Sequence, residues 1–204
     1  MLKLLRNVTE MPWAEAGMPE GAKAAEGDSP HTRKVALVMF LAVVTSIFFL
    51  FGMAYIERMD LADWQPLKEP TILWVNTAIL IAASVAMQMA RRSASDGKGS
   101  VQLRLLAAGV LVILFLLGQW LAWNVLRVAG YYASTNPANA FFFLFTALHG
   151  LHLGGGLYVW ARTLWRSRIE AEAGRVRQSI ELCSVYWHYL LMLWLVLFAL
   201  MLNT

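Results

Sequence analysis

From Phe141 to Gly156 the chain reads FFFLFTALHGLHLGGG. An aromatic run leads into two histidines three residues apart, and three glycines follow. The stretch is too apolar and too long to be the edge of a soluble helix, yet it carries His149 and His152 at its centre. Three residues on a 3.6-residue helix put the two rings on one face. Gly150 and Gly154 make a GxxxG pair, with Gly155 and Gly156 behind. Small residues of this kind let a neighbouring backbone approach.

The surrounding sequence has the same character. Of the 204 residues, 59% are hydrophobic and only 15% charged, against about half and a quarter in ordinary soluble domains. The excess falls into five blocks, 35–56, 71–90, 105–126, 139–165 and 182–202. Each approximates the ~20 residues that cross ~30 Å of hydrocarbon. These blocks predict an all-α polytopic membrane protein, a bundle of five transmembrane helices. The first block follows more than thirty largely polar residues, which does not fit a secretory signal. Residues 1–33 are expected to form a flexible cytoplasmic arm, since EAGMPEGAKAAEGDSP carries few order signals. Residues 34–204 would form the transmembrane domain. DGKGS (Asp96–Ser100) reads as a flexible turn and WQPLKEP as a rigid outer loop.

Charge sets the expected orientation. The N-terminal segment and the second and fourth connections hold fourteen of the 17 basic residues; Arg58, Lys68 and Arg127 are the other three. The positive-inside rule then places the N-terminus in the cytoplasm and the C-terminus in the periplasm. These cations are topology determinants facing anionic headgroups, so nucleic acid is not expected as a partner. The single cysteine, Cys183, excludes an internal disulfide and a cysteine-based metal site within this chain.

No Asp or Glu falls inside any block, so the intramembrane ionisable set is His149, His152 and His188. Buried ionisable groups in hydrocarbon are candidates for function. These histidines can ligate haem or metal, join a lipid or proton site, or hydrogen-bond between helices. A closed metal site needs three or four ligands, and no carboxylate or thiol is at hand to complete one. Packing is therefore the favoured role for His149, Gly150, His152, Gly154, Trp187 and His188, with His188 as a candidate partner on the last span. Trp120, Trp123 and Trp194 read as deep packing anchors.

The motifs also carry a family resemblance. FFFLFTALHGLHLGGGLYVW resembles the FFxLTGLHGLHVxxG stretch of subunit III of the haem-copper oxidases. YWHYLLMLW (Tyr186–Trp194) is similar to that family's YWHFVDVVW. WVNTAILIAASVAMQMA resembles its LNTxxLLxSS helix, MFLAVVTSIFFLFGMAYI its FLASEVMFFGxLFAAY helix, and LGQWLAWNVL its LGxxFxxxQxxEY region. The likeness runs from about residue 35 to the end, in the family's order. It implies the short bacterial form with five spans, which lacks the two leading helices of the long form and ends outside. Three acidic positions of the pattern are apolar here: Val44, Ala122 and Leu191.

What the resemblance implies is a non-catalytic subunit of a respiratory oxidase in a bacterial inner membrane. It would carry no cofactor of its own, pack against catalytic subunit I, hold phospholipid at the junction and support proton uptake indirectly. Haem and copper would lie in partner subunits. Open alternatives are an accessory protein of a nitric oxide reductase, a stand-alone transporter and a haem-binding membrane protein.

Overall fold

The structure, a computed structural model, describes residues 30–67, 70–96, 100–169 and 173–203. Five helices follow one another: α1 Pro30–Met59, α2 Ile72–Asp96, α3 Val101–Val128, α4 Pro137–Ile169 and α5 Ala173–Leu202. Each is long and apolar enough to cross a membrane, and no strand occurs among the described residues. The five expected blocks lie on these helices except for Thr71, which precedes α2, and the helices run past the blocks at most ends. α4, at 33 residues, is about 50 Å long, so its end carries Arg162, Arg166 and Arg168 beyond a hydrocarbon layer of ~30 Å.

The chain divides into two compact units, Met1–Phe40 and Leu41–Thr204. In the first, the described residues are Pro30–Phe40, all helical. The helix thus starts at Pro30 rather than after residue 33, with proline in the first turn, where its missing N–H costs nothing. The rest of the expected arm, EAGMPEGAKAAEGDSP up to Ser29, lies outside the described residues, as do Lys68, Glu69 and Gly97–Gly99 of the two expected connections.

Local chemistry sets the helix ends in the second unit. Ser100 caps α3 by accepting the Leu103 N–H at 3.3 Å. α3 stops at Gly130, whose φ of 87° is open to glycine and strained for other residues. The Tyr131 N–H then reaches back to the Leu126 carbonyl at 3.0 Å. Asn136 begins α4 by accepting the Ala138 N–H at 3.2 Å. The Asn136 amide donates to the Gln65 carbonyl at 2.5 Å, joining the two connections on this side. Nearby, Arg58 grips Asp63 through both carboxylate oxygens and holds its carboxyl below the usual range. The pair is exposed, so it orders the loop more than it stabilises the fold.

α2 packs along α3 and α5, and α4 along α5 and α3. Glycine allows the closest approaches. A Cβ at Gly109 would lie 2.1 Å from the Trp160 ring, and one at Gly118 would lie 2.0 Å from Asn76 Oδ1. Trp160 is fixed there by donating its Nε1–H to the Leu105 carbonyl at 2.8 Å. Two further indoles use a shared device. Trp194 donates to Thr77 Oγ1 at 2.9 Å and Trp123 to Thr146 Oγ1 at 3.0 Å, while each threonine returns its own proton to the carbonyl four residues back. No polar proton is left bare in either case. From Leu41 onward α1 joins through Val44, Phe48 and Tyr55, which cluster with Phe145 and Leu197.

Candidate functional site

The three membrane histidines occupy three different environments. His149 is fully buried. Its ring packs edge-on to Phe115, centroids 5.9 Å apart, and tilted over Trp194 at 5.2 Å. Neither ring nitrogen has a hydrogen-bond partner among the described residues. Unpaired polar atoms also occur on Asn76 and Gln119 in the same bundle. The expected interhelical hydrogen bond is therefore not made by His149. The reason is steric: α4 directs it between two aromatic side chains that offer no acceptor or donor at its nitrogens.

His152 lies one turn on and meets a different neighbour. Its Nδ1–H donates to the Leu148 carbonyl of its own helix at 2.7 Å, and its ring lies 5.6 Å from Phe48 of α1. A 60° offset on the helix is enough to turn one ring towards α3 and α5 and the other towards α1. The cross-helix bond here is made by the backbone, because the Tyr186 hydroxyl donates to the His152 carbonyl at 2.8 Å.

His188 pairs with neither. It belongs to a polar ladder between α2 and α5. The Ser84 hydroxyl donates to Nδ1 at 2.7 Å, and Nε2–H donates to Gln88 Oε1 at 3.2 Å, which together fix one tautomer. Ser184 donates to the same Gln88 oxygen at 3.4 Å. One turn nearer the helix ends, Arg91 and Glu181 face each other at 3.6 Å. The α2 members recur at positions 84, 88 and 91 and the α5 members at 181, 184 and 188, the spacing of facing helix stripes. The partnership of His188 with Ser84 and Gln88 was not visible in the sequence.

The glycines divide in the same way. Nothing lies within 4 Å of a Cβ at Gly154, and at Gly150 the nearest atom is Leu116 Cδ2 at 3.7 Å. Gly150 thus meets α3 through Leu116, while none of the described residues approaches Gly154. Gly156 is the packed one: a Cβ there would meet Tyr186 at 2.8 Å and Trp187 Nε1 at 3.2 Å. The three replaced acidic positions also separate. Val44 and Ala122 are buried and Leu191 is half-buried. Val44 sits among Phe48, Tyr55, Phe145 and Leu197, where a carboxylate would have no apparent partner.

Among the described residues, no three His, Cys, Asp or Glu side chains are grouped to hold a metal ion. The geometry is that of a packed helical scaffold with interhelical polar clasps. The family model described as cytochrome c oxidase subunit III matches residues 32–203. The chain belongs to that family. It is 30% identical over 178 residues to cytochrome c oxidase subunit 3 of Synechocystis sp., covering 84% of this chain and 75% of that protein. It is 28% identical to the probable subunit 3 of Nocardia farcinica, over 83% of this chain and 87% of the relative. The subunit 3 of Thermostichus vulcanus gives 28% identity over 85% and 88%. As a subunit III, the chain presents its HGLH and YWH motifs as two separate clasps: Tyr186 ties α5 to the His152 carbonyl, and His188 ties α5 to α2.

The two histidines of these motifs should respond differently to substitution. His149→Phe keeps a ring between Phe115 and Trp194 and removes two unpaired nitrogens, so it should change stability by less than about 1 kcal/mol. His188→Leu abandons Ser84 and Gln88 and should cost about 1 kcal/mol or more. Unfolding of the purified chain in mixed micelles measures both. A larger loss from His149→Phe than from His188→Leu would show that the His149 nitrogens are hydrogen-bonded inside the bundle.

Proposed function

We propose that this chain is the non-catalytic subunit III of a respiratory haem-copper terminal oxidase in a bacterial inner membrane. The observation that carries the reading is the family match across residues 32–203. In this reading the N-terminus is cytoplasmic and the C-terminus periplasmic. The redox metals sit in partner subunits, and the chain packs against catalytic subunit I to keep the core assembled. Its influence on proton uptake is indirect, through stability and the low-dielectric surroundings it provides. His149, Gly150, His152, Gly154, Trp187 and His188 act in helix packing or at a lipid junction, not as ligands. A groove of about 640 Å³ between α1 and α5 supports lipid retention. Its walls include Phe48, Phe49, Met53, Met192 and Val196, and its polar groups are already occupied, with Tyr189 donating to Thr45 Oγ1 at 2.8 Å. Hydrocarbon is the chemistry that suits it.

Gentle purification of the tagged chain, followed by identification of its companions, tests the assignment. Haem- and copper-bearing oxidase subunits are expected to copurify with a lone chain that is itself colourless. A Soret band on the isolated chain, or companions of another class, would overturn it. Topology has its own test: Glu20→Cys and Thr204→Cys should react with an impermeant thiol reagent from opposite faces of the membrane. Labelling of both from one face is incompatible with five spans.

Gly154 tests the junction. Gly154 is exposed and a Cβ there meets none of the described residues within 4 Å, so Gly154→Leu should leave the melting temperature of the isolated chain unchanged. If a partner helix rests on this face, recovery of intact complex falls several-fold while turnover per haem is kept. Full recovery would remove this face of α4 from the junction.

A further inference from the structure

His188 meets the polar ladder between α2 and α5 through both ring nitrogens. Nδ1 accepts from the Ser84 hydroxyl at 2.7 Å, and Nε2–H donates to Gln88 Oε1 at 3.2 Å. The ring also forms part of the wall of the groove between α1 and α5, and it is half-buried where His149 is fully enclosed. The two partners differ in kind. Gln88 Oε1 can only accept, and the Ser184 hydroxyl at 3.4 Å helps to hold it in place. Ser84 Oγ is both donor and acceptor, and its proton can rotate.

We propose that His188 is a proton-binding site, charged and discharged with the α2–α5 clasp intact. In the neutral form the lone pair on Nδ1 takes the Ser84 hydroxyl. A proton from water adds to that lone pair, forming one N–H bond and breaking no covalent bond. Ser84 then turns its hydroxyl to the carbonyl four residues back. Ser93 makes that bond on the same helix at 2.9 Å, and Ser46 makes it on α1 at 3.0 Å. The Ser84 oxygen accepts the new Nδ1–H. Both imidazolium protons then rest on oxygen, and hydrogen bonds of this kind favour the charged form. Release reverses each move. At His149 an added proton would face the rings of Phe115 and Trp194, with no partner at either nitrogen among the described residues.

The charged groups nearby leave this possible. Arg91 of α2 and Glu181 of α5 face each other at 3.6 Å, so their charges largely offset one another at His188, which lies about 10 Å along α5 from Glu181. Both are partly exposed, and they mark the end of the ladder from which water supplies the proton. The other titratable groups on this part of α5 are Cys183, which is buried, and Tyr186 and Tyr189, whose hydroxyls go to the His152 carbonyl on α4 and to Thr45 on α1. The α1 residues lining the groove carry no titratable group, and His152 of α4 has its ring against Phe48.

The test is nitrogen NMR of the full chain, labelled at its four histidines and held in phosphatidylcholine nanodiscs, between about pH 8 and about pH 5. His188→Gln assigns the signal. The expected result is one bare and one protonated nitrogen at the upper limit and two protonated nitrogens at the lower, a gain of one proton at this ring. Spin labels on α2 and α5 should report the same separation at both limits. Ser84→Ala removes the acceptor for the new Nδ1–H, and should leave His188 mostly uncharged at the pH that half-charges the parent. Ser84→Thr keeps the hydroxyl and should restore uptake. Two results on the parent chain alone overturn the site, whether or not a variant folds: a His188 still uncharged at the lower limit, or charging that separates α2 from α5. Uptake by Ser84→Ala equal to that of the parent overturns it as well. Copurification with oxidase subunits is read separately, so failure of the proton site leaves the oxidase assignment standing.

Discussion

Trp194→Ala is expected to destabilise the chain by about 3 kcal/mol, among the largest effects available to a single substitution here. Trp194 is completely buried. Its ring contacts Phe115 at 5.1 Å, His149 at 5.2 Å and Phe198 at 6.2 Å, and its Nε1–H donates to Thr77. In a bilayer the transfer of apolar surface contributes little, because lipid tails are as apolar as the core. The loss is instead the packing on three rings, the cavity left behind and one hydrogen bond. The cavity opens where α2, α3, α4 and α5 meet, so no single helix shift can close it. Reversible unfolding in mixed micelles gives the number. Trp194→Phe should recover roughly half, since it restores a ring but not the bond to Thr77. A loss under about 1 kcal/mol for the alanine variant would mean that this junction is not the centre of the bundle.

Gly109→Ala is the second. One methyl group there falls 2.1 Å from the Trp160 ring, far inside contact distance. Trp160 has little freedom to withdraw, because it is 9% exposed and tied to the Leu105 carbonyl. Overpacking of this kind costs about 1–3 kcal/mol. The decisive measurement is the pair: Trp160→Leu alone should destabilise, but Gly109→Ala in the Trp160→Leu background should cost much less than it does alone. Additive losses would show that the two residues do not share one contact.

The five helices were legible because the membrane imposes the signal: length and apolarity alone delimit a span, and the blocks drawn from composition fall on the observed helices. Their ends were less legible. The start of α1 at Pro30 lies among polar residues, where hydropathy is silent. Within the candidate site, periodicity placed His149 and His152 close together on one helix. It could not say which helices lie on either side, so it missed that one ring faces α3 and α5 and the other faces α1. GxxxG drew attention to Gly150 and Gly154, whereas the tight approaches are at Gly109, Gly118 and Gly156. Those three have no spacing signature, since each is matched to side chains on another helix: Trp160 at Gly109, Asn76 at Gly118, and Tyr186 with Trp187 at Gly156. Gly109 and Trp160 are a small–large pair separated by fifty-odd residues, and only the fold brings them together. His188 was found as an ionisable residue in a span, while its clasp with Ser84 and Gln88 depends on an α2–α5 register that neither segment encodes alone.

The attachment of α1 has a bearing on how the protein is made. Thr45 of α1 meets Tyr189 of α5 across 144 residues of sequence. The ring contacts of Phe48 and Tyr55 with other helices also reach forward, to His152, Phe141 and Phe145 on α4. At a synthesis rate of 5–20 residues per second, Tyr189 emerges roughly 7–30 s after Thr45. During that interval the first span stands in lipid without α5, and until α4 is made without that neighbour as well. Its hydroxyls have local partners: Thr45 donates to the Leu41 carbonyl at 2.8 Å and Ser46 to the Ala42 carbonyl at 3.0 Å. When Tyr189 arrives, it donates to the Thr45 oxygen and need not displace the bond already formed. The first helix inserted can thus wait as a self-satisfied span and be captured last, by an oxygen lone pair held in reserve from the outset.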